Sequence, residues 1–236
     1  MKQMRPFQQK YPAVTLAVCI FVLGIVAWVS TSPCAAQYDP LAQAAVGRHV
    51  SFGFYPQDIN GKTKPISWRV LQKNADSVLL ISTYGLDSMA YDPGSSPVTW
   101  AESRLRVWLN HKFAYKAFTA AEHQRLLSVH ISNPNNPQFH TVGGGDTDDK
   151  VFLLSIEEAR KYFRDDRDRM CTPTAYALRK GAYTANGNGN CWAWLRSPGK
   201  TPMYAACIHT YGQVELEGCE ARLTSGCVRP VIKVKL

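Results

Sequence analysis

The chain has no tract of Lys and Arg to concentrate its formal charge of +9. With no basic helix and no ribonucleoprotein-type motif either, nothing in it is built to hold nucleic acid. It contains no H-E-x-x-H, no G-x-S-x-G and no paired C-x-x-C. Zincin-type proteases, the usual hydrolase nucleophile turn and a zinc ribbon are thereby excluded. Internal repeats, a Pro/Ser linker and long charge blocks are also missing, so no seam divides the bulk of the chain. Histidines are few and scattered (His49, His111, His123, His130, His140 and His209), which reads as surface or structural use.

What is present starts with compartment. Lys2, Arg5 and Lys10 stand without any acid before an apolar run from Ala13 to Val29, broken by Ser30–Pro33 and followed by the small residues Cys34-Ala-Ala36. This is the three-part layout of a secretory signal peptide, with cleavage expected after Ala36. The run also just reaches bilayer-spanning length, so an uncleaved anchor through residues 13–30 is the alternative. Pro33 makes Cys34 a poor lipidation site. Either way residues 1–36 are a leader, 37–46 a short tether and 47–236 one exported domain. Without Lys2, Arg5 and Lys10 the formal charge falls by three to +6, a solvated basic surface and not a dedicated patch.

Cysteine usage fits export. Cys171, Cys191, Cys207, Cys219 and Cys227 crowd the last third, where disulfides would staple a loop-rich end. Their number is odd, and connectivity is not readable from spacing.

Val50–Tyr55, Ile66–Leu71 and Ser77–Ser82 read as strands separated by turn residues such as Asn60-Gly61, with Trp68, Val70, Leu79 and Ile81 as core. Three capping boxes follow: Thr99 with Glu102, Thr119 with Glu122, Ser155 with Glu158. Behind the first, Leu105, Trp108, Leu109 and Phe113 recur at helical spacing. Thr172-Pro173 places a capping hydroxyl and an N1 proline before a helix over Ala175–Lys180, with Gly181 where it would stop. Val151–Leu154 fits a short buried strand. Trp192–Arg196, Ala205–His209, Gln213–Glu217 and Val228–Val234 are strand-like again. Strands, then helices, then a closing antiparallel sheet make the class α+β.

Asp146 and Asp148 with Glu157 imitate an EF-hand count, but Lys150 takes an oxygen-ligand position and Val151 stands where the turn needs glycine. Gly143–Asp149 is therefore read as a loop ahead of a strand, no metal or other cofactor is predicted, and calcium has no motif behind it. The polar loop Tyr183–Asn190 suits ligand contact better. Tyr183, Asn186, Asn188 and Asn190 lead directly into Trp192, and amides beside aromatic faces are what neutral, hydroxyl-rich ligands exploit. Asn133–Pro137 reads as an irregular loop.

Several blocks carry a resemblance: Phe52–Gln57, Pro65–Leu71, Leu79–Ser82, Thr99-Trp100, Ser103–Asn110, Asp149–Ser155, Trp194–Gly199 and Val228–Pro230. Over about residues 47–236 the chain resembles the bacterial family known as domain of unknown function 6273. The family often has two adjacent tryptophans before Leu-Arg-Ser-Pro, whereas here Ala193 precedes Trp194. The resemblance implies a divergent C-type-lectin-like fold, distantly similar to sulfatase-modifying, formylglycine-generating domains. Gly226–Arg229 resembles the glycine-x-arginine segment that holds such sheets together. Trp194, Arg196, Pro198 and Arg229 are then a structural signature. Neither a glutamate-proline-asparagine calcium-sugar motif nor the oxidase's cysteine pair is apparent. The expected function is an exported binding module for a glycan, peptide or envelope partner. The alternatives are a thiol-dependent enzyme of the sulfatase-modifying type, using Cys191, Cys207, Cys219 or Cys227, and a purely structural envelope protein.

Overall fold

The computed structural model describes residues 39–236; the leader and its apolar run lie outside them. Strands β1 (His49–Pro56), β2 (Thr63–Lys73), β3 (Ser77–Ser82) and β4 (Asp87–Ser88) come first. Alternation drives β2: Ile66, Trp68 and Val70 all turn inward and are almost wholly buried. The Asn60-Gly61 turn is closed by Asp58, whose carboxylate accepts from Asn60 N and Lys62 N at 3.0 and 2.7 Å.

Helices α1 (Arg104–Trp108), α2 (Ala114–Ala117) and α3 (Ala120–Arg125) follow, the first two joined by a π-turn over Leu109–Phe113. Leu105, Leu109 and Phe113 form the buried stripe their spacing demands. Strands β5 (Val129–Ile131), β6 (Thr147–Asp149) and β7 (Val151–Phe152) lead to α4 (Ile156–Lys161), α5 (Asp166–Arg169) and α6 (Ala175–Arg179). The chain ends in β8 (Ala193–Pro198), β9 (Tyr204–Ile208), β10 (Val214–Glu220), β11 (Cys227–Val228) and β12 (Val231–Lys235).

One sheet has the order β1-β2-β3-β12-β7 and a second β10-β9-β8-β11-β4, with β5-β6 a separate ribbon. Every pairing is antiparallel except β11 against β8. The class is therefore α+β with mainly antiparallel sheets. The expected strand Val228–Val234 is split, because Pro230 cannot donate to a ladder and the chain crosses there from the second sheet to the first. Arg229 pins the crossing: its Nε and Nη1 donate to the carbonyls of Ser82 and Arg169 at 2.8 and 2.9 Å. Both sheets share one apolar core that includes Trp68 and Trp194.

Several local expectations need correction. Residues 39–46 are not a free tether: Leu41 and Ala44 are buried, and Lys73 Nζ donates to the Ala42 carbonyl. Thr99 makes no side-chain cap; a single 3-10 turn follows it, and Ser103 caps α1 by accepting from Arg106 N. Thr174, not Thr172, caps α6, because Thr172 O and Thr174 N are engaged by the backbone of Gly85. The boxes at Thr119 and Ser155 are complete. Trp192 precedes its strand, and Leu79 faces a cleft while Trp68, Val70 and Ile81 fill the core. Among the described residues no helix is long and apolar enough to cross a membrane.

Candidate functional site

A cleft of about 480 Å³ lies between α4, β5 and one face of the first sheet. Leu79, Ile131 and Phe152 give it apolar walls, while Gln72, Glu157 and Tyr162 bring polar ends. Its frame is fixed by a group from the far end of the sequence. Arg196 on β8 is 5% exposed and reaches across to α4. Its Nη1 donates to the Leu153 carbonyl at 2.8 Å and to the Glu158 carboxylate; its Nη2 donates to the Ser132 carbonyl and Glu158 Oε1, both at 3.2 Å. Glu158 also accepts from Ser155 N at 2.9 Å, so one carboxylate both caps α4 and neutralises the buried guanidinium. Arg196 Nε is buried with no partner of its own. Tyr162 donates to Gln72 Oε1 at 3.2 Å, and burial, then the nearby Glu158 charge, raise its phenol above the usual range.

The Tyr183–Asn190 loop borders a second cleft, of about 440 Å³. Tyr183 and Trp192 line it together with Cys207, Cys219, Glu215 and Glu217. The loop's amides are turned to holding the loop itself. Asn188 Oδ1 accepts from Asn190 N at 2.9 Å, Asn188 Nδ2 donates to the Thr210 carbonyl at 3.3 Å, and Asn190 Nδ2 donates to Met170 Sδ at 3.0 Å. Asn186 is exposed at the tip. The structure thus brings Tyr183 and Trp192 to one cavity but spends Asn188 and Asn190 elsewhere. Trp192 itself is only 8% exposed, packed edge-on against Trp194 at 4.6 Å between ring centroids. Trp194 is deeper still, its Nε1 donating to the Met89 carbonyl at 2.9 Å. A Cβ on Gly226 would stand 2.4 Å from Trp194 Nε1 and 2.5 Å from the edge of Trp192, so both indoles need glycine beside them. Pro198 belongs to β8, its carbonyl accepting from the buried Asn136 Nδ2 at 2.8 Å.

The expected disulfides are absent as bonds: the five cysteines among the described residues are all thiols. A disulfide holds its sulfurs about 2.05 Å apart. Here Cys171 and Cys191 sulfurs are 3.6 Å apart, and those of Cys207 and Cys219 are 3.4 Å apart. Cys171, Cys191 and Cys227 form an enclosed apolar cluster. The hydrogen bond between Cys171 and Cys191, together with burial, pushes the Cys171 thiol well up; the same bond lowers Cys191, but its contact with Cys227 and burial outweigh it and leave that thiol raised as well.

Asp149 is structural, accepting from Trp100 Nε1 at 2.9 Å and Arg106 Nε at 2.7 Å. Asp146 and Asp148 flank His130 at 3.4 and 3.2 Å, and the Asp148 hydrogen bond raises the His130 pKa. Among the described residues no group of three or more His, Cys, Asp or Glu is placed to hold a metal. Sequence reasoning missed Gln72 and Tyr162 and read Glu158 only as the partner of a helix cap; no local pattern joins the three to Arg196. It also missed Asn136, fully buried, whose Nδ2 also donates to the Leu216 carbonyl at 2.8 Å.

Residues 75–236 match the model of a family described as a domain of unknown function (DUF6273), and the chain belongs to that family. The blocks Phe52–Gln57 and Pro65–Leu71 lie ahead of the matched residues. No curated protein and no solved structure matches the chain significantly.

Proposed function

We propose that this DUF6273 protein is an exported binding module that takes a neutral, hydroxyl-rich ligand, such as a glycan segment, in the cleft between α4 and the first sheet. One observation carries the reading: polar groups from β2 and α4 converge over apolar walls in a cavity of about 480 Å³. Sites for small ligands pair apolar walls with a few placed polar groups that fix orientation; here polar side chains make up most of the lining, which suits a hydroxyl-rich ligand. The Arg196–Glu158 pair supports it by fixing α4 against β8, so the cleft needs little ordering on binding. Export rests on the basic and apolar pattern of residues 1–36. A C-type-lectin-like arrangement, distantly similar to sulfatase-modifying domains, belongs to the same proposal and is supported by the two mainly antiparallel sheets and the loop-rich carboxyl half. The Tyr183–Asn190 loop is the weaker platform, since two of its three asparagine side chains bond within or beneath it.

Titration of the full chain with a panel of neutral oligosaccharides, followed by NMR shifts of Tyr162 and His130, tests the reading. Saturable binding is expected, and Gln72→Ala or Tyr162→Phe should each weaken it about fivefold to tenfold, the worth of one hydrogen bond. Melting temperature should stay unchanged. No saturable binding across the panel, or binding indifferent to both substitutions, overturns it.

A further inference from the structure

Cys207 and Cys219 meet because of a defect in the ladder. Cys207 on β9 stands opposite Glu215 on β10, and Cys219 opposite Ala205, with the register broken between them. Gly218 makes that bulge at φ +71, where a Cβ would lie 2.1 Å from the Ala205 carbonyl oxygen. Only glycine fits, and the bulge swings Cys219 towards Cys207 until their sulfurs are 3.4 Å apart. Both cysteines line the second cleft, Cys207 buried and Cys219 partly exposed. Either sulfur can donate across this contact; with the buried Cys207 thiol as donor, Cys219 is held below the ordinary thiol range and Cys207 is itself pushed up.

We propose that this cleft is a thiol–disulfide exchange site, with Cys219 as attacking sulfur and Cys207 as resolving sulfur, for small neutral or cationic disulfides. The Cys219 thiolate attacks one sulfur of the substrate disulfide. That S–S bond breaks, the leaving thiolate takes a proton from water, and a mixed disulfide remains on Cys219. Cys207 then gives its proton to water and attacks Cys219 Sγ, which releases the second substrate sulfur as a thiol. In total the dithiol loses two electrons and two protons to the substrate, which is reduced to two thiols as the Cys207–Cys219 bond closes. Charge sets the substrate class. Glu215 lies close enough to both sulfurs to oppose their ionisation, and Glu217 shares the wall, partly offset by Lys200 at 3.2 Å. An anionic disulfide meets that field as a repulsion and a cationic one as an attraction. The site does not rest on the α4 cleft or its ligand.

The test exposes the reduced full chain to cystamine and, separately, to oxidised glutathione at low ionic strength, with peptide mapping of the products. Cystamine is expected to close Cys207–Cys219, reacting about tenfold or more faster than the anionic disulfide, a gap that salt and Glu215→Gln both narrow. Cys207→Ser should trap cysteamine on Cys219, and Cys219→Ser should abolish the reaction at an unchanged melting temperature. Should Cys219→Ser fail to fold, the wild-type map and the Cys207→Ser adduct decide alone. The proposal is overturned if Cys219 reacts no faster than a thiol of the unfolded chain, if the two disulfides react at equal rates, or if excess reduced glutathione cannot reopen the bond, which would make it a staple.

Discussion

Two groups of thiols in one small domain have opposite surroundings. Cys171, Cys191 and Cys227 sit where the parallel pair β8–β11 meets the antiparallel backbone pairing of Cys171 with Cys191, in an enclosed apolar cluster beside the buried guanidinium of Arg229. Cys207 and Cys219 share a bulged antiparallel pair that opens onto a cleft. The residue type and the sulfur separations are nearly the same. What differs is access and the partner of each proton: burial makes a thiol inert, while a partly exposed sulfur that accepts a hydrogen bond keeps its thiolate.

The sharpest way to break this comparison is alkylation. With iodoacetamide under native conditions near neutral pH, Cys219 should label faster than a thiol of the unfolded chain. Cys171, Cys191 and Cys227 should be protected by about 10³ or more, since reaching them needs opening on the scale of global unfolding. Mass mapping of labelled peptides over time measures it. Comparable labelling of both groups would erase the distinction.

Next in size is the support of the buried group. Arg229→Ala removes the donors to Ser82 and Arg169 carbonyls and the contact of its guanidinium with the Phe163 ring at 5.4 Å. Two buried carbonyls lose their partners, so about 2–5 kcal/mol of stability should go, read by urea titration. Gly85→Ala is a smaller insult to the same place. Its Cβ would stand 2.7 Å from Cys227 Sγ and 2.9 Å from Cys227 Cβ, an overpacking expected to cost about 1–3 kcal/mol. Neither change should slow the labelling of Cys219 in the folded protein.

How much of this could be read in the residues follows the distance over which each feature is decided. The β1–β3 strands, the buried stripe of Leu105, Leu109 and Phe113, and the boxes at Thr119 and Ser155 are set by neighbours within a few positions, and they form as the pattern says. Thr99 shows the limit. Its hydroxyl and Glu102 do meet, at 3.1 Å, but the chain runs through one 3-10 turn before Ser103 starts the helix. The cap at Thr174 was displaced from Thr172 by pairing with Gly85, almost ninety positions away. Both clefts are decided the same way. Arg196 meets Glu158 across 38 positions, and the Cys207–Cys219 contact depends on a bulge that a lone glycine in β10 permits but does not announce. The disulfide expectation rested on compartment and composition alone, which say nothing of which sulfurs the register brings together.

The smallest effect separates the two groups by their protons. Cys171 is pushed up by its hydrogen bond to Cys191 and burial, Cys191 is lowered by that same bond but raised overall by its contact with Cys227 and burial, and Cys207 is raised by its bond to Cys219, whereas Cys219 is lowered. For a group raised in the folded state, its contribution is fully present below the unfolded thiol value of about 8.5 and is lost as pH rises through the folded value. For Cys219 the sign is reversed: its contribution is present above the unfolded value and is lost as pH falls through the folded one. Raised thiols outnumber the lowered one, so stability should fall from about pH 8.5 upward, by under about 1 kcal/mol per raised thiol between pH 8 and 9. Cys171→Ala with Cys191→Ala should flatten that alkaline limb, whereas Cys219→Ser should remove a gain in stability that appears, as pH rises, below about pH 8.5, both measured as denaturation midpoints against pH. Equal slopes in the two variants would mean that the buried and the cleft thiols hold their protons alike, and the contrast between the two regions would reduce to access alone.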